Sequence, residues 1–304
     1  MMHAALPPLT AHNPAQRMSA VDATDNAPGW LLGVSTSSLP DKRQIGALLA
    51  ADPDVVEWYA LPLRMVPEIE RFATRHGIRN ALHAPMPFDG QALRFGPTSD
   101  DPAIAAATLD MTLESIECAV TLNALHVVVH FPDPRPPYAA RGFRDRALAF
   151  LDPVAEEGER RGVRVVLENM TPNPLLRSPE QYRAILDEYP TLGLCFDIGH
   201  AHLAAPAHAL DEYIAALADR ILTVHVYNTT AARYDEHGHE AIAAGQRPAD
   251  GFFDWPGAVD AVLSAASPAS WILEHDQRYH AATPQALAAL REQIAASAPV
   301  GRAR

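Results

Sequence analysis

The chain has 304 residues, 48% hydrophobic and 20% charged, a length and mix that suit one α/β barrel and exclude bulk disorder. Its formal net charge is −13, and Lys42 is the only lysine beside the arginines, so a long nucleic acid duplex is an unsuitable partner; a small phosphorylated molecule stays open, since bound metal would make a site locally positive. No apolar run approaches the ~20 residues of a membrane helix, and two cysteines cannot build a disulfide framework.

Residues 1–29 carry Pro7, Pro8, Pro14 and Pro28 among Ala, Asn and Asp, with no apolar periodicity and no secretory core. They read as a flexible tail, in which Met18 is a second candidate start. The lack of a signal points to the cytoplasm. The folded domain is expected over 30–304.

From residue 30 short apolar runs alternate with amphipathic stretches, the pattern of βαβ units around a parallel sheet. Strands are predicted at Leu31–Ser35, Val55–Ala60, Arg79–His83, Leu125–His130, Val163–Glu168, Leu192–Asp197, Ile221–Val226 and Trp271–Glu274. Helices are predicted near Lys42–Ala50 and at Arg64–His76, Pro102–Leu122, Phe143–Arg161, Pro179–Glu188, Leu210–Asp219, Pro256–Ala265 and Pro284–Ala295. Ser178-Pro179 and Thr283-Pro284 place proline in a first helical turn, where its missing N–H costs nothing. Cys118 falls in a helix and Cys195 in a strand, both as small buried hydrophobes suited to a reducing compartment. Eight such units make a (β/α)8 TIM barrel. A doubly wound open sheet would carry a glycine-rich loop after its first strand, and Gly33-Val34-Ser35-Thr36-Ser37-Ser38 has no second glycine.

Polar residues close the apolar runs: His83, His130, Glu168, then Asp197 with His200, His225 and Glu274. Asp235 and His237 lie between the seventh and eighth strands. Catalytic groups of a barrel come from the C-terminal ends of several strands, and a charge ending an apolar strand is costly unless paired or bound to metal. Each residue has a structural alternative: a lone histidine is more often a core or surface group, a buried glutamate can pair with arginine, and His200 can be a helix N-terminal feature. The serial placement favours ligands, and imidazole with carboxylate suits zinc, manganese or iron(II). His239 and His275 read as solvated loop neighbours. Trp58 and Tyr59 can stack on a sugar ring or pack the mouth, while Arg94, Arg135, Arg141 and Arg144 are surface residues or anion partners. Nothing in the sequence specifies an oligomeric state.

With these residues in view, the chain resembles the xylose isomerase-like TIM barrel superfamily from about Gly33 to Gln293. The likeness rests on His83-Ala84-Pro85, Val127-Val128-Val129-His130, Leu167-Glu168-Asn169-Met170, Phe196-Asp197-Ile198-Gly199-His200-Ala201, Val224-His225-Val226, Leu273-Glu274 and the stretch Gly251-Phe252-Phe253-Asp254-Trp255. In the sugar isomerase and epimerase branch the resemblance implies one metal on Glu168, Asp197, His225 and Glu274. The two glutamates would also move protons, and His200 would contact substrate. In the endonuclease IV branch it implies three zinc ions: on His83, His130 and Glu168; on Glu168, Asp197, His225 and Glu274; and on His200, Asp235 and His237. The stretch from His225 to Asp235 is shorter than that enzyme would lead one to expect, and the charge does not suit DNA. The expectation is a zinc- or manganese-dependent isomerase or epimerase of a sugar, sugar phosphate or polyol, holding one to three ions. A multinuclear hydrolase of a small phosphoester is the alternative, and a non-catalytic binding barrel is a third class that the full ligand set argues against.

Overall fold

The computed structural model describes residues 29–297 except 91–93, 171–172 and 205–208. The expected tail therefore lies, but for Gly29, outside the described residues. Eight parallel strands close in sequence order, β1 to β8, with β1 paired to both β2 and β8. They are β1 (Leu31–Ser35), β2 (Val55–Tyr59), β3 (Arg79–His83), β4 (Val127–Phe131), β5 (Val165–Asn169), β6 (Gly193–Asp197), β7 (Ile221–Val226) and β8 (Ser270–Leu273). Around them run α1 (Val66–His76), α2 (Pro102–Leu122), α3 (Phe143–Arg161), α4 (Pro179–Glu188), α5 (Ile198–Ala204), α6 (Ala209–Leu217), the short α7 (Tyr234–His237), α8 (Trp255–Ala265) and α9 (Thr283–Ser297). None of the described helices is long and apolar enough to cross a membrane.

Strand and helix ends differ from expectation by a residue or two, because hydrogen bonding rather than hydropathy sets them. The predicted first helix is a 3-10 stretch at Ile45–Ala51, and α1 is preceded by a 3-10 turn at Leu63–Met65. Pro179 opens α4 behind a capping box of Ser178 and Gln181.

Side chains alternate across a strand, and a barrel strand is buried on both faces. One face packs against the helices in the main core, which holds Val56, Trp58, Leu82, Val127, Val129, Leu167, Phe196 and Trp271. The other fills the barrel with two small clusters, Val55 with Ala81 and Ile272, and Val128 with Val166 and Cys195. Two residues further along the same faces come Glu57, His83, Glu274, His130, Glu168 and Asp197, and Thr223 is likewise followed by His225. The polar residues thus form one layer stacked directly on an apolar plug. Gly33 in β1 has no room for a side chain: a Cβ there would lie 2.2 Å from the Val55 carbonyl oxygen.

Candidate metal centre

Glu168, Asp197, His225 and Glu274 come from β5, β6, β7 and the residue after β8. One ligand atom from each lies within 4.8 Å of all the others, and all four residues are buried. Glu168 Oε1, Asp197 Oδ2, His225 Nδ1 and Glu274 Oε2 have no hydrogen-bond partner. His225 Nδ1 and Glu274 Oε2 stand 3.1 Å apart yet make no hydrogen bond. A buried polar atom without a partner costs about 1–3 kcal/mol. Four converging ones, three of them carboxylate, fit a divalent transition cation as the shared partner.

Asn169 explains why the glutamate is followed by an amide. Its Nδ2 donates to the Asp197 carbonyl (2.8 Å) and its Oδ1 accepts from the Asp197 N–H (2.9 Å), so the ends of β5 and β6 are clamped together. Asp197 Oδ1 accepts the His200 backbone N–H at 2.7 Å, the N-terminal helix feature weighed for His200, which leaves Oδ2 toward the cluster. Gly199 lets this turn pack, since a Cβ would lie 2.4 Å from the Tyr227 ring.

The imidazoles are held from behind. His83 Nδ1 donates to the Ala84 carbonyl at 3.0 Å, so its Nε2 lone pair faces Glu168 Oε2 at 3.1 Å. Two acceptors at that distance need a proton or a cation between them. Burial opposes the proton, but Glu168 outweighs it and holds the His83 imidazolium above its ordinary range. His130 Nε2 reaches the same Glu168 oxygen at 3.3 Å, and His83, His130 and Glu168 form a second group of converging ligand atoms. Burial dominates at His130 and lowers it. His200 donates from Nδ1 to the Asn169 carbonyl at 3.0 Å; against the cost of burial, Asp197 and Glu168 carry it up to about 9. Burial raises Asp197, and His200 only partly offsets this. Glu168 stays well below the usual carboxylate range despite its burial, because His130, His200 and His83 surround it.

Asp235 is exposed on α7, and His237 beside it meets Tyr279 Oη at 3.4 Å. Among the described residues neither joins His200 in a converging group. His239, expected in solvent, instead stacks on Tyr227 with centroids 3.6 Å apart and donates from Nδ1 to the Glu274 carbonyl at 2.9 Å. Its ring lies 5.3 Å from that of His200. The register of a long irregular loop, which has no period to read, decided between the two histidines. His275 is buried too, bonded to Thr283 Oγ1 at 2.8 Å. Trp58 faces the helices, donating to Asn80 Oδ1 at 2.8 Å, and so does not line the mouth. Tyr59 does: its ring meets His83 edge-on at 5.0 Å, and Lys42 Nζ sits 4.4 Å above it. Arg144 pairs with Glu188 on the surface, whereas the charge of Arg135 reaches Tyr59 and Tyr234. Glu57, fully buried on β2, was absent from the sequence reading although one carboxylate inside Val55-Val56-Glu57-Trp58-Tyr59 is a legible anomaly.

The family model described as xylose isomerase-like TIM barrel matches residues 44–295. An uncharacterized protein of Methanocaldococcus jannaschii is 28% identical over 171 residues, 54% of this chain and 55% of that protein, so the chain spans about half the length of this curated relative. Among solved structures, a D-tagatose 3-epimerase-like protein superposes with a TM-score of 0.70 at 21% identity, over 88% of this chain and 98% of its own. D-psicose 3-epimerase from Clostridium cellulolyticum H10, with D-tagatose, gives 0.69 at 14%, over 88% and 99%. The IOLI protein, with a zinc atom, gives 0.67 at 14%, over 88% and 97%. At these identities the structures speak to the fold, and the family match to descent: the chain belongs to the xylose isomerase-like TIM barrel family.

Proposed function

We propose that this protein is a divalent-metal-dependent isomerase or epimerase of a small sugar, sugar phosphate or polyol. The observation that carries the reading is the convergence of four partnerless buried ligand atoms, on Glu168, Asp197, His225 and Glu274, at the C-terminal mouth of the barrel. The sugar epimerases among the structural neighbours favour the same class of chemistry.

Zinc or manganese bound by these four residues would polarise a substrate carbonyl and so acidify the carbon beside it. Glu168 and Glu274 approach the centre from β5 and β8, and both reach His83 Nε2, at 3.1 and 3.9 Å. One carboxylate takes the proton from that carbon, and the other returns a proton to the neighbouring carbon or to the opposite face. His200, pinned through Nδ1, presents Nε2 to a substrate hydroxyl. Tyr59 and His83 shape the wall against which a sugar ring would lie.

The second reading, a multinuclear phosphoester hydrolase, is favoured by one observation, the additional group of His83, His130 and Glu168. It would raise the count from one ion to two. Under either reading the substrate is a small polar molecule rather than nucleic acid, and the working domain is residues 30–304.

Metal analysis followed by incubation in deuterated water tests the proposal. Zinc- or manganese-loaded protein should hold at least one ion per chain. With a panel of ketoses and aldoses it should wash deuterium into the carbon beside the carbonyl. Failure to retain either metal, or phosphodiester cleavage without exchange, overturns it.

A further inference from the structure

Glu57 belongs to none of the converging ligand groups, yet it is wholly buried in the same layer. Its Oε2 lies 3.1 Å from His225 Nε2 and 3.9 Å from His126 Nε2. Among the described residues it pairs with no arginine or lysine, so it is not half of a structural ion pair of the usual kind. What it faces is the far side of the ring whose Nδ1 points at the ligand cluster. We infer that Glu57 is a positioning residue for the metal centre: its carboxylate keeps the His225 proton on Nε2 and so turns the Nδ1 lone pair toward Glu168, Asp197 and Glu274. The inference rests on the metal-centre reading above and adds to it the group that sets the ligand's tautomer.

The geometry admits two neutral forms of His225. With the proton on Nε2, the ring donates to Glu57 and Nδ1 is free to ligate. With the proton on Nδ1, that proton occupies the ligand position, and the Nε2 lone pair confronts the Glu57 carboxylate at 3.1 Å. The second form is repulsive at Glu57, so the carboxylate selects the first. The reach is set by the barrel: Glu57 stands one pleat above Val55 on β2, and β7 lies across the interior from it. His126 precedes β4 on the inward face shared with Val128 and His130, and it is the other nitrogen that the structure brings within 4 Å of Glu57 Oε2.

Glu57→Gln is the informative substitution. It keeps the shape, but its amide can donate to His225 Nε2 and so rewards the wrong tautomer. Glu57→Asp keeps an acceptor and should recover part of the loss. Zinc affinity of full-length protein, measured by competition with a chromophoric chelator, is expected to fall about 10–100-fold in Glu57→Gln. Correlated 15N–1H NMR of the imidazoles in metal-free protein, recorded at a pH high enough for His225 to be neutral, should show its proton on Nε2 in wild type and moved toward Nδ1 in the variant. A structural role alone would lower the melting temperature without moving that proton. Glu57→Gln that binds zinc within twofold of wild type overturns the inference, as does a neutral wild-type His225 whose single proton sits on Nδ1, a measurement that stands even if the variant does not fold. Wild-type protein that holds no zinc overturns the metal-centre reading and this inference with it.

Discussion

Glu168 carries the most at the scale of single residues, because its two oxygens face His83, His130 and His200 as well as the four-ligand cluster. Glu168→Ala should lose its metal and at least nine-tenths of turnover, on the order of the 10²-fold that a positioned acid–base group supplies. Circular dichroism should show the barrel intact, and a variant with more than a tenth of wild-type turnover would remove Glu168 from the mechanism. His83 and His130 distinguish the two functional readings. If four ligands suffice for one ion, His83→Ala combined with His130→Ala keeps its metal and alters substrate affinity. If the chemistry needs a second ion on this pair, the metal content measured by mass spectrometry drops by about one equivalent and hydrolysis collapses.

At the scale of elements, the β6–α5 turn is where backbone and side chain fit most tightly. Gly199→Ala would press a methyl group into the Tyr227 ring, which is itself fully buried against His239. Overpacking of this kind costs about 1–3 kcal/mol, measurable as a shift in the urea midpoint at unchanged slope. Because Tyr227 cannot yield without moving His239, the variant should also perturb substrate binding. An unchanged midpoint would mean that the turn is free to open. The Asn169 clamp makes the complementary case: Asn169→Ala removes both hydrogen bonds to Asp197 and leaves buried backbone groups unpaired, at a cost of about 1–3 kcal/mol.

For the whole molecule the expected signature is a pH-dependent stability that metal weakens. In metal-free protein His200 is raised to about 9, and His83 and His225 are raised as well, so the fold holds protons that the unfolded chain releases near 6.5. Asp197 is raised too, which acts in the same direction. A raised value stabilises fully below the unfolded pKa and is lost as pH climbs through the folded one. The melting temperature of metal-free protein should therefore fall from about pH 6.5 to beyond pH 9. Metal-loaded protein, in which His225 is a deprotonated ligand and the cation opposes protonation of His83 and His200 nearby, should follow it less steeply, and zinc binding should tighten with pH and release protons. A metal-free melting temperature that rises over this window would refute the assignment of charge to the cluster. Deleting residues 1–28 should leave metal content and melting temperature unchanged, because their composition offers no apolar period with which to dock.

Local pattern was enough for the barrel. Eight apolar runs separated by amphipathic helices leave few topologies, and a carboxylate or imidazole closing six of those runs marks the mouth, since both follow from the alternation of side chains along a strand. The same reasoning singled out Glu168, Asp197, His225 and Glu274 as polar residues at or near strand ends, and the family resemblance grouped them as one ligand set. Glu57 was missed because its importance lies in a distance across the barrel to His225, which sequence does not contain. His239 rather than His237 came to lie beside His200 because the path of the loop after β7 is fixed by long-range bonds, such as those pairing Asn228 with Glu240 and His239 with the Glu274 carbonyl. Which side chains of a strand face inward was decided by periodicity; which nitrogen of each imidazole faces the centre was decided by the acceptor that the folded chain brings behind it.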